Sequence, residues 1–399
     1  MAKQPKIRFK GFTEEWNEKT FSELYYRAIE KNDLSFGPDK IISVANMFYR
    51  PDASGVSTDE YMRTYNIMRV GDIAYEGNKS ANFANGRWVE NYIGDGIISH
   101  VFEVLRPKTK YDLMYWRYAI NNEYIMRRKL MLSTKKATMM TNIVVPDFLK
   151  QTISVPTIPE QEKIGGFLSH IDSTISRRET ELEKLKNIKR ALLEKLFPQD
   201  GQSTPAIRFK GFNEKWSDVP FGKLIIENKE VSTVENEDTL LSSAIEGMFL
   251  NSELFGHQRG QSNIGYRKIT KGMLILSAQN LHLGNANVNL RFDHGIVSPA
   301  YKTYIIQGAD TEFMAVWVKR EETKAFFDRA TTAGASKCRK NINWDDLYQQ
   351  DLAMPLDEEQ KKIGKFILTL DRLITLREKY IKQLKHSKQA LLEQMFVNN

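Results

Sequence analysis

Apolar residues recur along two segments of this chain with alternating steps of three and four positions. The first segment covers residues 160–197 and the second covers residues 359–396. Such spacing is typical of a helix that buries a narrow apolar stripe against another helix, as in a coiled coil. At 1.5 Å per residue each helix would be roughly 57 Å long, which exceeds an ordinary globular helix. The pattern therefore predicts two long helices, each of which needs a partner along its length.

The predicted coiled-coil seam consists of eight apolar positions in each helix. Its members are Ile164, Leu168, Ile171, Ile175, Leu182, Leu185, Leu192, Leu196, Ile363, Ile367, Leu370, Ile374, Ile381, Leu384, Leu391 and Met395. We expect the two helices to pair within one chain, antiparallel and related by a pseudo-twofold axis. The alternative is that each helix folds back onto its own globular domain, although a rod of this length would overhang a domain of about 150 residues.

The remaining sequence alternates between short apolar runs and turn residues. Runs rich in β-branched and aromatic residues, bounded by glycine, asparagine and aspartate, predict strands within 41–48, 71–78, 96–105, 272–280 and 295–306. Helical periodicity predicts one helix over 112–132 and another over 311–330. Each half of the chain is thus expected to be a mixed α/β globule followed by a long helix.

The two halves are copies of one design. Residues 5–21 and 205–221 share ten of seventeen positions, including IRFKGF, and the two long-helix segments share eighteen of thirty-eight. We expect an α+β fold with two mixed α/β recognition domains at 1–155 and 201–354, and helices at 156–200 and 355–399. The frame is duplicated while the sequence between the repeats differs. This pattern favours two different recognition surfaces on one fold, and neutral drift after duplication is the alternative.

Composition narrows the class of function. The chain of 399 residues has a net charge of +8, which suits nucleic-acid binding without requiring it. One cysteine and scattered histidines give no zinc-ligand spacing. No phosphate-binding loop, dinucleotide-binding glycine motif, nucleophile elbow or methyltransferase-like tetrapeptide occurs. With no secretory signal and no apolar run near ~20 residues, we expect a cytoplasmic protein without catalytic machinery.

Two acid-free basic windows are the first candidate DNA-binding surface. They lie between Glu123 and Asp147 and between Asp328 and Asp345, and they overlap when the halves are aligned. Each is expected to join a helix end to a loop rich in serine and threonine, offering cations to phosphates or guanine edges. The candidate residues are Arg127, Arg128, Lys135 and Lys136 in the first window, and Arg329, Lys337, Arg339 and Lys340 in the second.

Polar turns after two predicted strands are the second candidate surface. Asn78 and Lys79 lie in the polar segment that follows the strand at Gly71, and Gln279 and Asn280 lie in its counterpart after Gly272. Asparagine and glutamine can bond adenine with two hydrogen bonds, and lysine can bond guanine, so these four side chains are plausible base readers. Most asparagine-rich loops are only turns, and that interpretation stays open.

With these repeats laid out, the chain resembles the specificity subunits of type I restriction-modification systems over essentially its whole length. The motif that carries the resemblance is a proline followed by EQxKI, present as VPTIPEQEKI at 155–164 and, with a changed spacer, as MPLDEEQKKI at 354–363. The resemblance implies a non-catalytic subunit in which each recognition domain reads half of a bipartite DNA site. It also implies that the paired helices fix the unread gap and dock methyltransferase subunits.

The same resemblance implies which partners and cofactors belong elsewhere in the complex. Double-stranded DNA, two methyltransferase subunits and restriction subunits would be the partners. S-adenosylmethionine would belong to the methyltransferase, and ATP with magnesium to the restriction subunit. The competing hypotheses are a protein-only scaffold and, less favoured, a stand-alone nuclease built on Asp310, Glu322 and Lys324.

A duplicated chain that faces two half-sites has a geometric consequence. Half-sites on a duplex are related by an approximate dyad, so a single chain that binds both needs a pseudo-dyad of its own. The order of helix, IRFKGF segment and domain is then effectively circular. We therefore predict that the segment beginning at residue 5 lies close to the end of the second long helix.

Overall fold

The computed structural model describes residues 4–50, 58–136, 140–199, 201–255, 262–336 and 339–398, with the backbone alone at 136, 333–336 and 339. The chain forms two compact units, one comprising Met1–Glu179 with Lys379–Asn399 and the other comprising Thr180–Glu378. Each long helix contributes residues to both units. None of the helices in the described residues is long and apolar enough to cross a membrane.

The first unit is built on a four-stranded antiparallel sheet. Its strands, in spatial order, are Tyr25–Arg27, Val104–Pro107, Ile73–Glu76 and Arg87–Glu90. Strand pairs are formed by Asn17–Thr20 with Thr152–Val155, Ile42–Ser43 with Phe48–Tyr49, Asn66–Met68 with Gly96–Ile98, and Thr134–Lys136 with Thr141–Ile143. The helices are Phe21–Leu24, Asp59–Met62, Leu113–Ile120, Glu123–Ser133 and Val145–Leu149, with a 3-10 turn at Pro38–Lys40.

The second unit repeats this topology. Its four-stranded sheet has the order Ile225–Asn228, Tyr301–Ile306, Leu274–Ser277 and Ala286–Val288. The strand pairs are Ser217–Pro220 with Asp351–Met354, Leu241–Ala244 with Gly247–Leu250, Arg267–Thr270 with His294–Val297, and Thr331–Ser336 with Arg339–Ile342. The helices are Asn251–Leu254, Thr311–Trp317, Glu321–Arg329 and Trp344–Gln349, with 3-10 turns at Phe221–Lys223 and Leu281–Leu283.

The two long helices, Ile158–Lys195 and Asp357–Gln394, run antiparallel to each other. In the first unit Asp172 pairs with Lys388 at 2.6 Å and Glu179 pairs with Lys385 at 2.7 Å. In the second unit the antiparallel register continues through three more ion pairs, Glu181 with Arg377, Lys186 with Glu378, and Lys189 with Asp371. The α+β class with paired antiparallel helices, expected from the sequence, is confirmed.

Every predicted seam position is buried or half-buried. The ends of the seam, however, also enter the cores of the recognition domains. Ile164, Leu168 and Met395 belong to the core of the first unit, and Leu196 and Ile363 to the core of the second. Helix pairing and packing onto a domain, which the sequence presented as alternatives, therefore both occur along the same helices.

A buried ion pair fixes each long helix to the segment that contains IRFKGF. In the first unit Arg8 donates two hydrogen bonds to Glu160, at 2.6 and 2.8 Å, and the indole of Trp16 donates a third at 3.2 Å. In the second unit Arg208 binds Glu359 at 2.9 and 2.6 Å. Both glutamates are only 1% exposed, so the pairing keeps a charge stable inside the protein.

The IRFKGF segments also hydrogen-bond to the ends of the long helices. The amide of Ile7 donates to the carbonyl of Gln394 at 3.0 Å, and the amide of Ile207 donates to the carbonyl of Lys195 at the same distance. The predicted closeness of the first segment and the end of the second helix is thereby confirmed. Both bonds satisfy carbonyl groups that the last helical turn leaves without an intrahelical partner.

The helices predicted over 112–132 and 311–330 are each divided into two. In the first unit the division falls at Asn122, whose side chain accepts a hydrogen bond from the amide of Tyr124 and begins a new helix. Asparagine favours this capping position because its side chain competes with the helical backbone bonds. A prediction of one continuous helix at either place is therefore wrong.

Candidate nucleic-acid interface

Each basic window forms a β-hairpin rather than the predicted loop. In the first unit the hairpin (the first hairpin) pairs Thr134–Lys136 with Thr141–Ile143, with Lys135 directly opposite Asn142. In the second unit the hairpin (the second hairpin) pairs Thr331–Ser336 with Arg339–Ile342. The threonines that suggested a loop are β-branched and pack well on a pleated strand, which accounts for the difference.

The first hairpin is attached to the four-stranded sheet through Thr141. The amide and hydroxyl of this residue both donate to the carbonyl of Gly77, at 2.8 and 3.1 Å. The Thr141 hydroxyl also lies 2.6 Å from that of Tyr75. A Cβ atom at Gly77 would lie 2.3 Å from the carbonyl oxygen of Thr141, so only glycine permits this approach.

This attachment brings the two candidate surfaces of the first unit together. Asn78, the residue after Gly77, forms an isolated β-bridge with Met140 in the first hairpin. The side chains of Asn78, Lys79 and Lys135 are all exposed. A potential base reader and a phosphate-binding cation therefore lie on neighbouring backbone segments, an arrangement that can contact a groove edge and the adjacent backbone of DNA.

The cations of the first basic window are available to a ligand. Arg127 and Arg128 are exposed on the helix that leads into the first hairpin, and Lys135 is exposed on its first strand. Among the residues that the structure describes, none of these three forms an ion pair. Nothing is described of the Lys136 side chain, although its backbone belongs to the strand.

The second basic window differs in how its cations are paired. Lys340 forms an ion pair with Asp328, and this contact lowers the pKa of Asp328 below its usual range. Arg329 is exposed and its guanidinium lies 5.5 Å from the ring centroid of Phe326. Lys337 falls outside the described residues, and only the backbone of Arg339 is described. Among the described side chains of this window, Lys340 is therefore neutralised by an ion pair, whereas Arg329 forms none.

The second polar turn packs differently from the first. Ser277 caps it by accepting a hydrogen bond from the amide of Asn280 at 3.2 Å, and Asn280 then precedes the 3-10 turn Leu281–Leu283. This 3-10 turn lies against the helix Glu321–Arg329. Gln279 is exposed and Asn280 is half-buried. The turn is thus positioned by the helix that leads into the second hairpin.

Exposed residues that the candidate set omitted also lie on the hairpins. Asn142 faces Lys135 across the first hairpin, and Asn341 faces Thr332 across the second. Both asparagines are exposed. Their occurrence at equivalent places in the two halves is a signal in the sequence that could have identified them. All the DNA-contact assignments stay predictions.

The arrangement does not support a nuclease site in the second unit. Asp310 accepts a hydrogen bond from the amide of Phe313 at 2.8 Å and so caps a helix, and Lys324 is paired with Glu321 at 2.7 Å. Within the described ranges, no three histidine, cysteine, aspartate or glutamate residues cluster to hold a metal ion. Glu322 pairs with Arg320 at 3.2 Å, so local structure explains both candidate acids.

Comparison with known proteins supports the same interpretation. Residues 14–187 match the family described as the type I restriction modification DNA specificity domain. A putative type I restriction enzyme specificity subunit, MjaX, from Methanocaldococcus jannaschii is 21% identical over 308 residues, covering 72% of this chain and 68% of the relative.

Solved structures of similar fold span the whole chain. The S subunit of a type I restriction-modification system from M. genitalium has a TM-score of 0.57 and 14% identity, covering 99% of this chain and 100% of that one. The HsdS subunit from Thermoanaerobacter tengcongensis has a TM-score of 0.50 and 14% identity, covering 99% of both chains. At this identity the structures establish the shared fold alone. In sequence and in fold, the chain is therefore similar to the specificity subunits of type I restriction-modification systems.

Proposed function

We propose that this chain selects the DNA sequence on which a type I restriction-modification complex acts. Each recognition domain, at 1–155 and 201–354, reads one half of a bipartite site. The paired long helices set the length of the unread gap, with half-site centres around one helical turn apart. The observation that carries this proposal is the repetition of one topology, with a β-hairpin from the basic window at the equivalent place in each unit.

The chain itself would perform no catalysis. Its partners would be double-stranded DNA, two methyltransferase subunits that hold S-adenosylmethionine, and restriction subunits that use ATP and magnesium. This role would place the protein in the cytoplasm with chromosomal DNA. The candidate nuclease acids are engaged in helix capping, for Asp310, and in an ion pair with Arg320, for Glu322, which supports a purely recognising role.

A duplicated aromatic pair is suited to docking the methyltransferase subunits. Phe9 meets Phe167 edge to face, with ring centroids 5.6 Å apart, and Phe209 meets Phe366 in the same way at 5.7 Å. Phe167 and Phe366 occupy equivalent positions on the two long helices and remain more than a third exposed. Aromatic side chains at interface centres often carry much of the binding energy. We propose one methyltransferase subunit at each pair.

The experiment that tests sequence selection is methylation mapping. The chain would be expressed with its methyltransferase subunit, and N6-methyladenine would be located by long-read sequencing. We expect a split motif with a constant unread gap that disappears without this chain. The absence of any motif from a stable complex would instead favour a protein-only scaffold.

Removing a charge from the first hairpin tests whether this hairpin contacts DNA. We expect Lys135→Ala to weaken DNA binding by the assembled complex and to reduce the slope of log affinity against log salt by about 1, the effect of one lost phosphate contact. Lys150→Ala is the matched control, because Lys150 lies in the same unit and is already paired with Asp147. Unchanged binding and slope for Lys135→Ala would contradict the proposed interface.

Docking is tested by removing one aromatic ring. Phe167→Ala should reduce the number of methyltransferase subunits bound in native mass spectrometry from two to one. Ile188→Ala is the control, because Ile188 is 52% exposed on the same helix but its equivalent in the second helix is Ser387. Equal losses from both substitutions would show that the aromatic pair has no special role.

A further inference from the structure

The second unit contains a cavity of about 940 Å³ between its recognition domain and the long helices. Most of the wall is apolar, with contributions from Leu193, Met248, Leu290, Val316, Ile367 and Leu376. Binding sites for small organic molecules usually have volumes of roughly 300–1,000 Å³, mostly apolar walls and a few polar groups that orient the ligand. In size and lining, this cavity resembles such a site.

The equivalent positions of the first unit carry larger side chains. The framework residues on both sides are the same, because Asn91 and Asn289 each accept a hydrogen bond from the glycine that precedes a central strand. The next residue is Tyr92 in the first unit and Leu290 in the second. On the helices capped by Asp112 and Asp310, Arg117 and Tyr118 of the first unit correspond to Ala315 and Val316.

These larger side chains are packed together in the first unit. The guanidinium of Arg117 stacks 3.8 Å from the ring centroid of Tyr92. The hydroxyl of Tyr118 donates to Asp172 at 2.6 Å, and Lys388 lies 5.2 Å from the Tyr118 ring centroid. The pair of Asp172 with Lys388 is repeated in the second unit by Asp371 with Lys189. The cavity therefore arises from three smaller side chains on a retained framework.

The charged groups at the cavity favour an acidic ligand. Two of the four cations in the wall are already paired, since Arg291 binds Glu253 and Lys189 binds Asp371. Lys319 donates one hydrogen bond, to the carbonyl of Ile245 at 2.7 Å, which leaves two ammonium donors for a ligand. Arg372 is exposed and, among the described residues, forms no ion pair. These two cations outnumber the single remaining wall acid, Glu246.

We propose that this cavity of the second unit binds a small organic anion with an apolar body. The apolar part lies against Leu290, Val316 and Ile367, and the acidic group lies at the mouth beside Lys319 and Arg372. In the first unit Tyr92, Arg117 and Tyr118 stand at the corresponding positions, and we expect their side chains to fill that volume. The proposal is independent of DNA recognition and requires one ligand per chain.

The test uses anilinonaphthalene sulfonate, an aromatic anion that fluoresces in apolar surroundings, with the full-length chain. We expect saturable binding to one site. The triple variant Leu290→Tyr, Ala315→Arg, Val316→Tyr copies the side chains of the first unit and should abolish binding. Lys319→Met keeps the cavity but removes a charged donor, and should weaken binding about tenfold. Circular dichroism and the melting temperature verify that each variant is folded. If the triple variant does not fold, the single variant Leu290→Tyr is used in its place.

A reciprocal variant makes the test sharper. The substitutions Tyr92→Leu, Arg117→Ala and Tyr118→Val should open a second site, so that the stoichiometry rises from one to two. The proposal would be overturned if the triple variant that fills the cavity bound the sulfonate dye as well as the wild type does. It would also be overturned if a neutral dye such as Nile red bound to the cavity and the sulfonate dye did not. The proposal would also be overturned if the dye did not bind and the triple variant that fills the cavity failed to assemble with the methyltransferase. That result would identify the cavity as a protein-docking site.

Discussion

The junction between long helix and globular domain uses closely similar residues in both units, while the sheets beside the junctions contain different ones. At the junctions, Arg8 with Glu160 and Arg208 with Glu359 have nearly the same geometry. Phe396 stacks on Tyr115 in the first unit as Phe197 stacks on Phe313 in the second, with centroids 5.4 Å apart in each case. The junctions are therefore a repeated structural element.

Within the sheets, the first unit has charged side chains where the second has apolar ones. Asp72 is 1% exposed and binds Arg106 through two oxygens, at 2.9 and 2.8 Å. The corresponding residues of the second unit are Met273 and Ile305. Glu90, which is fully buried, corresponds to Val288. The comparison teaches that one backbone tolerates either chemistry in its sheet, provided that the junction is kept.

The largest expected effect is the loss of a junction glutamate. Glu160→Ala leaves the Arg8 guanidinium without its partner and should cost about 3–5 kcal/mol of stability in the first unit. Glu359→Ala should cost about 1–2 kcal/mol less, because Trp16 donates to Glu160 whereas the indole of Trp216 has no hydrogen-bond partner in the described chain. Hydrogen exchange measured separately in each unit would show the order, and equal losses would contradict it.

The next largest effect is the loss of stability when a charge is removed from the sheet of the first unit, and its recovery by a second substitution. Asp72→Met leaves Arg106 with Glu30 as its remaining partner and should cost about 3 kcal/mol. Adding Arg106→Ile copies the second unit and should restore most of the loss. We expect the rescue because the sulfur of Met273 accepts a hydrogen bond from the amide of Thr270 at 3.4 Å. Asp72 accepts the equivalent hydrogen bond from the amide of Arg69. Urea unfolding would measure the free energy of unfolding of the single and the double variant. A double variant no more stable than the single variant would show that the two units are not equivalent at these positions.

Steric contact at the junction should have an intermediate effect. A Cβ at Gly165 would lie 2.5 Å from the amide nitrogen of Tyr115, so Gly165→Ala should destabilise the first unit by about 1–3 kcal/mol. Gly166→Ala is the matched control, because no atom lies within 4 Å of its Cβ position. That control should stabilise the helix by up to about 1 kcal/mol. Melting temperatures that fall for both would show that helix geometry, rather than contact with Tyr115, is responsible.

The smallest effect concerns the pH dependence of the first unit. Burial raises the pKa of the Glu90 carboxyl well above its usual range. The nearby Tyr111 hydroxyl donates a hydrogen bond to the carbonyl oxygen of Gly71 at 2.6 Å. Because the pKa of Glu90 is higher in the folded state than in the unfolded state, ionisation of this group favours unfolding. The free energy of unfolding of the first unit therefore falls as the pH rises from about 4.5 toward the folded pKa. Glu90→Gln should therefore stabilise the unit at pH 8 relative to the wild type, with less benefit at pH 5.

The second unit supplies the internal control for that measurement. Its equivalent residue, Val288, does not titrate, so hydrogen exchange of the strand Ala286–Val288 should be unaffected by Glu90→Gln at either pH. A melting-temperature difference between the wild type and Glu90→Gln that stays constant from pH 5 to pH 8 would show that Glu90 does not control the pH dependence.

The sequence alone determined the features that depend on local or repeated patterns. The three-and-four spacing predicted both long helices to within a few residues, because a helical stripe is periodic along the chain. The repeated segments predicted two units with one topology, and the EQxKI motif indicated the resemblance to type I specificity subunits. These signals need no knowledge of distant contacts.

Only the tertiary structure decided which distant residues meet. The approach of Gly77 to Thr141 places Asn78 beside the first hairpin, and the contact of Asp328 with Lys340 neutralises a cation that the sequence presents as free. Neither contact has a periodic signature, because each depends on how strands far apart in sequence are packed. The cavity of the second unit is likewise set by the joint volume of side chains from several elements, which no single stretch of sequence specifies.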